Sequence, residues 1–129
     1  MAKSSRIDSQ RAPLKIHDAI TAATAAPAAV GDVQFGSKEY NRIRVFVDYT
    51  NTVTSLNLRI YQWNDTLAKF YRVGDSDELE PLNPTNGDEA RDYFVGRGAF
   101  IHIQVEAITG TTQTATIWVM GVDDGEVYS

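Results

Sequence analysis

Few side chains in this sequence have the chemistry to form a site, and they fall in three places. Histidine occurs twice, at His17 and His102, and cysteine not at all. Nucleophilic catalysis needs a base held beside its nucleophile. His17 lies in a segment poor in apolar anchors, His102 stands between Ile101 and Ile103 on the outward side of a strand, and no serine sits in a nucleophile elbow. His102 therefore reads as a packed or solvent-facing residue, and no catalytic residue is expected.

Carboxylates crowd together at Asp75, Asp77, Glu78 and Glu80. Hydrolases draw their paired acids from separate strands across a cleft, so a run within one stretch reads as a solvated face, with calcium as the alternative. Neither this run nor Asp123-Asp124-Gly125-Glu126 has the spacing of an EF-hand loop, and Gly96-Arg97-Gly98 has neither the Walker spacing nor a helix to follow it. No metal and no cofactor is expected. The third group is aromatic. Tyr61, Trp63 and Tyr71 are close enough in sequence to meet across a hairpin and stack on a sugar ring, unless a second sheet, the N-terminal segment or a neighbouring subunit covers that face.

The elements that would carry these residues are strands. From Val33 onward the apolar positions recur with period two: Ile43, Val45, Val47 and Tyr49 share one face, with Arg42, Arg44 and Asp48 on the other. Thr50-Asn51-Thr52 has turn chemistry, and the next strand places Leu56, Leu58 and Ile60 inward and Asn57, Arg59, Tyr61 and Trp63 outward. Asn64-Asp65 marks a hairpin turn before a shorter strand from Leu67 to Val73, closed by Gly74. Residues 74–90, rich in acids, proline and glycine, read as a long exposed loop. A strand from Ala99 to Ile108 directs Ile101, Ile103, Val105 and Ala107 inward, Gly110 marks a turn, and a last strand from Thr114 to Val122 alternates Ala115, Ile117 and Val119 with Thr116, Trp118 and Met120. About six to eight short strands with no helix-period stretch predict an all-β fold, an antiparallel β-sandwich or jelly roll over residues 31–129.

Residues 1–30 differ from this body. They contain small side chains and two prolines, with Leu14, Ile16 and Ile20 as the main apolar anchors, and read as an extended N-terminal arm that is either loose or ordered on a partner. Lys3, Arg6, Arg11 and Lys15 make the arm mildly basic, whereas the body is acidic. With 12 Lys and Arg against 17 Asp and Glu, the net charge of −5 speaks against a duplex-binding surface. No apolar run approaches a membrane span or a secretory signal. The expected partners therefore include neither nucleic acid nor membrane.

The run Tyr40-Asn41-Arg42-Ile43-Arg44-Val45-Phe46-Val47-Asp48-Tyr49-Thr50, then residues 55–63, then residues 100–122, resembles small β-sandwich proteins of tailed bacteriophage virions, above all head decoration, or cement, proteins. That resemblance implies a non-enzymatic protein on the outer capsid surface, made in the host cytoplasm. It would act as a homotrimer bound to the major capsid protein or other virion proteins, with an arm laid across coat subunits. Arg6, Arg11, Leu14, Lys15, Ile16 and Ile20 are the contact candidates it suggests. The aromatic hairpin and the acidic loop also suit a neck, tail or baseplate subunit, or a carbohydrate-binding module.

Overall fold

A computed structural model describes residues 13–73, 77–79 and 89–122. Within them the chain is all-β, with strands β1 (Leu14–Ile20), β2 (Phe35–Gly36), β3 (Arg42–Asn64), β4 (Lys69–Arg72), β5 (Asp77–Leu79), β6 (Glu89–Phe94) and β7 (Phe100–Gly121), and one 3-10 turn at Val30–Asp32. No helix among the described residues is long and apolar enough to cross a membrane.

Two strands of unusual length organise everything else. β3 has 23 residues and β7 has 22, and they pair antiparallel from Ile43↔Gly121 to Gln62↔Ile101. This ribbon serves both antiparallel four-stranded sheets. The first half of β3 and the second half of β7 lie between β6 and β1. The other two halves lie between β4 and β5 on one side and β2 on the other. Strands that pass from one layer to the next do so at bulges, and the β3–β7 ladder shifts register at Thr50/Thr52, Val53/Ser55 and Asn57/Leu58.

The bulges account for the inward pattern. Ile43, Val45, Val47, Tyr49 and Val53 are buried odd positions of β3, whereas Leu56, Leu58 and Ile60 are buried even ones. The change of parity falls at the Val53/Ser55 shift, since one extra residue sends every later side chain to the opposite face. Ile101, Ile103, Val105, Ala115, Ile117 and Val119 of β7 complete a single core with them. Fully burying each such aliphatic chain contributes about 1.5–3 kcal/mol, so these positions decide which face of each strand turns inward.

Several expectations require correction. Thr50-Asn51-Thr52 and Gly110 are not turns, because β3 and β7 run through them side by side. Gly110, opposite Val53, takes φ +151°, a conformation that favours glycine, and it meets the bend there. Ala107 is only half-buried, because Glu106 is the extra residue of the Asn57/Leu58 shift and Ile108 packs against the core in its place. The Asn64 hairpin forms, with the Asn64 side chain accepting from the Leu67 amide at 2.8 Å, but its second strand begins at Lys69. Part of the stretch expected as a loop over 74–90 is strand: β5 pairs with Leu56–Leu58, and β6 opens at Glu89. Residues 74–76 and 80–88 lie outside the described residues, as does the acidic tail 123–129.

Residues 14–20, read from sequence as part of an arm, form an edge strand here. β1 pairs with β7 from Leu14↔Val119 to Ile20↔Ala115, and Leu14, Ile16 and Ile20 pack against the core. Beyond β1 the chain follows the other half of β7, where its side chains take the place of a strand. The Gln34 amide donates to the Ile101 carbonyl at 2.9 Å, and the Gln34 side-chain oxygen accepts from the Ile103 amide at 2.7 Å. Nε2 of His17 donates to the Ile103 carbonyl at 2.7 Å. Thr24 accepts from the Val105 amide through Oγ1 and donates its own amide to the Val105 carbonyl, both at 2.9 Å. An open sheet edge is a template for unwanted pairing, and three side chains from one segment close this one.

Candidate functional site

The outward face of the β6–β3–β7–β1 sheet is the most site-like surface among the described residues. Alternation along β3 and β7 places Phe46 and Trp118 outward, each between two buried aliphatic residues, and the register sets them directly opposite one another. Lys15 is opposite Trp118 on the other side, with its Nζ 5.1 Å from the ring centroid. This is a cation–π distance. Lys15 also meets Asp18 at 3.6 Å. Pro13, Phe46, Asp48 and Trp118 line an open groove of about 310 Å³. Asp48 is exposed at its rim and has no ion pair with a described residue.

One row along the sheet, Arg44 grips Asp92 of β6 with two parallel hydrogen bonds, Nε to Oδ1 at 2.6 Å and Nη2 to Oδ2 at 3.0 Å, and Arg42 adds a contact at 3.6 Å. The Arg44 hydrogen bond holds the Asp92 carboxyl below its ordinary range, against a smaller opposing effect of burial. Phe94, opposite Arg42 at the end of β6, is 74% exposed, more than any other large apolar side chain described. The face thus carries the Phe46–Trp118 pair and, two rows along, exposed Phe94, with the Arg44–Asp92 pair in the row between them.

The opposite sheet is less open to a ligand. Trp63 packs edge-on against Phe70 with centroids 5.1 Å apart, and Phe70 stands 6.2 Å from His102. Trp63 donates its indole N–H to Asp65 at 2.6 Å, and Tyr61 donates its hydroxyl to Gln104 at 3.1 Å. The expected platform of Tyr61, Trp63 and Tyr71 does not form. Tyr71 pairs with Gln62, one position out of phase with Tyr61 and Trp63, so the hairpin register sends it to the other face. Lys69 lies over its ring there, at 5.2 Å.

Of the six contact candidates, Lys15 alone meets a residue of the groove, through the Trp118 ring. Leu14, Ile16 and Ile20 are partly buried in this chain's own core, and Arg6 and Arg11 lie outside the described residues. Sequence reasoning missed Phe46 and Asp48 as site residues and noted Trp118 only as an outward apolar position. The available signal was a pair of aromatics at outward positions, each flanked on its strand by inward aliphatic residues, Val45 and Val47 around Phe46 and Ile117 and Val119 around Trp118. Asp75 and Glu80 lie outside the described residues, and no group of three or more His, Asp or Glu among the described residues is arranged to hold a metal ion. The two histidines each spend a ring nitrogen on a main-chain carbonyl, His17 on Ile103 and His102 on Asp32 at 2.7 Å. No family model, no curated protein and no solved structure matches the chain.

Proposed function

We propose that this chain is a non-enzymatic structural protein of a tailed-phage virion, a decoration protein that docks on the outer surface of the assembled capsid and stabilises it. The docking face is the outward side of the β6–β3–β7–β1 sheet, and its occupant is the major capsid protein. The observation that carries this reading is the aromatic strip of Pro13, Phe46 and Trp118, with exposed Phe94 beyond the Arg44–Asp92 row, on a sheet whose other face already supplies the core. Apolar aromatics with a polar rim are the composition of a protein interface. Lys15, Asp48 and the Arg44–Asp92 pair supply that rim.

On this reading the two sheets are a jelly-roll variant. Residues 1–12, with Arg6 and Arg11, are the part of the arm that reaches coat subunits, and a trimer multiplies each weak contact. A protein that binds only the assembled shell stabilises it by mass action. The test is light scattering of the purified chain followed by titration of tailed-phage capsids stripped of their decoration protein. A trimer that raises the capsids' unfolding temperature supports the reading, and a monomer without effect on them opposes it.

A second reading, a carbohydrate-binding module, draws on the groove itself. An indole and a phenyl ring beside a carboxylate suit a pyranose, whose apolar face stacks while a hydroxyl donates to Asp48. Tryptophan fluorescence of a Trp63→Phe variant, in which Trp118 is the remaining indole, separates the two. A saturable change with free sugars favours the module, and its absence favours the shell.

A further inference from the structure

Both histidines of this chain stand on one seam, where residues 13–34 close the β7 edge, and neither enters the docking face described above. His17 reaches from β1 in one sheet to the Ile103 carbonyl in the other, between the contacts made by Gln34 and Thr24, and so ties the two layers together along their open side. His102, on the outer side of β7, takes the carbonyl of Asp32 through Nδ1. That bond puts the ring hydrogen on Nδ1 in the neutral form and leaves Nε2 as the acceptor. Nε2 of His102 is buried and has no hydrogen-bond partner. A proton arriving there creates a buried charged donor with nothing to receive it.

We propose that His17 and His102 form an acid-sensitive clasp, holding residues 13–34 along the β7 edge at neutral pH and releasing them in mild acid.

The groups that face the pair are few. Asp32 approaches His102 from the 3-10 turn, but its carboxylate is already occupied by the amides of Ala28 and Ala29 at 2.8 and 3.1 Å. Arg72 of β4 stands in the same cross-strand row as Tyr61 and His102 and adds positive charge. Phe70, Tyr61 and Gln34 are neutral, and the nearby Lys15–Asp18 and Arg59–Glu106 pairs are internally compensated. The Asp32 charge favours an imidazolium at His102, but by less than burial opposes it, and no second carboxylate among these groups is unpaired. Burial is the largest influence on both histidines and lowers both below the ordinary 6.5, against smaller raising effects of the hydrogen bonds to Ile103 and Asp32, and the His17 ring further opposes charge on His102. The sign follows from linkage. Groups whose folded value is depressed stabilise the fold above the unfolded value, and that contribution is lost as pH falls from 6.5 through the folded values.

The test is amide hydrogen exchange on the full chain, expressed as protection factors at about pH 7.5 and about pH 5, on either side of the ordinary histidine range. Protection of residues 14–34 and of the Val105 amide is expected to fall roughly threefold or more in acid, while Val47 and Ile60 in the core hold theirs. In His17→Gln/His102→Gln, whose side-chain amides can still donate to the Ile103 and Asp32 carbonyls but take no proton, the fall is expected to be largely absent. An equal loss across the whole chain, no loss, or the same loss in the variant overturns the proposal. If the variant does not fold, NMR titration of wild-type His102 decides: a ring still neutral well below pH 6.5 supports the clasp, and one that titrates at or above 6.5 overturns it.

Discussion

The ring of Tyr40 lies directly over the backbone of Gly121, so close that a methyl group at position 121 would stand inside it. Tyr40 is the last residue of the turn that begins at Ser37, and Gly121 is the last of β7, opposite Ile43. An aromatic ring covering a glycine in a neighbouring strand seals a gap that no side chain fills. Gly121→Ala is expected to destabilise the fold by about 1–3 kcal/mol, the usual cost of overpacking, read as a lower urea midpoint at constant slope. A change within about 0.5 kcal/mol would mean that the ring swings aside without cost.

Ser37 makes a sharper case because it is fully buried. Its hydroxyl donates to the Gly96 carbonyl at 2.7 Å and accepts from the Ala99 amide at 2.9 Å, joining the segment after β2 to the one before β7. Ser37→Ala leaves the Ala99 amide and the Gly96 carbonyl only the longer 3.3 Å bond to each other, for an expected loss of about 1 kcal/mol. Denaturant unfolding of this single variant measures it.

The Arg44–Asp92 pair predicts both a size and a pH dependence. Both side chains are about a third exposed, at 35% and 31%, so solvent screening keeps the coupling below about 1 kcal/mol despite its two-pronged geometry. Asp92 titrates below its ordinary value because the Arg44 hydrogen bond favours the charged form. Its contribution is therefore present above about pH 4 and lost as pH falls through the folded value. A double-mutant cycle with Arg44→Met and Asp92→Asn is expected to show coupling at neutral pH that shrinks in high salt and disappears in acid.

How far the sequence could be read is clearest along β3. The inward residues Ile43 to Tyr49 and Leu56 to Ile60 follow from period two, because burial on one face leaves an imprint on each strand separately. That Thr50–Thr52 is a bulge and not a turn depends on β7 running alongside, about sixty residues later in the chain, and no local pattern carries that. The same holds for the edge. Gln34, His17 and Thr24 are unremarkable polar residues until β7 gives them main-chain groups to satisfy. At the site, Tyr71 misled because spacing alone did not reveal that the four residues between Asn64 and Lys69 put Gln62, and neither Tyr61 nor Trp63, opposite it. Phe46 and Trp118 were visible as outward aromatics, but their pairing across two distant strands was not.

The N-terminal segment yields a truncation series. Removing residues 1–12 spares every described contact and gives the reference form for the series. Removing residues 1–30 takes away Leu14, Ile16 and Ile20 from the core and unpairs the β7 edge at Ile103 and Val105. At about 1 kcal/mol for each partly buried aliphatic, the loss is expected to reach roughly 3 kcal/mol or more. Equal stability of the two truncated forms, measured by thermal unfolding, would show that the body stands without β1.

Docking through the aromatic strip is the central claim, and co-sedimentation with stripped tailed-phage capsids tests it most directly. The wild-type chain is compared with Phe46→Ser/Trp118→Ser, and with Glu39→Gln as a surface control away from the strip, after thermal unfolding has established that each is folded. Interface anchors of this kind contribute about 2 kcal/mol or more each. The account predicts saturable binding by the wild-type and control chains and at least about thirtyfold weaker binding by the double variant. Wild-type protein that stays in the supernatant, or a double variant that binds as tightly as the control, would contradict it.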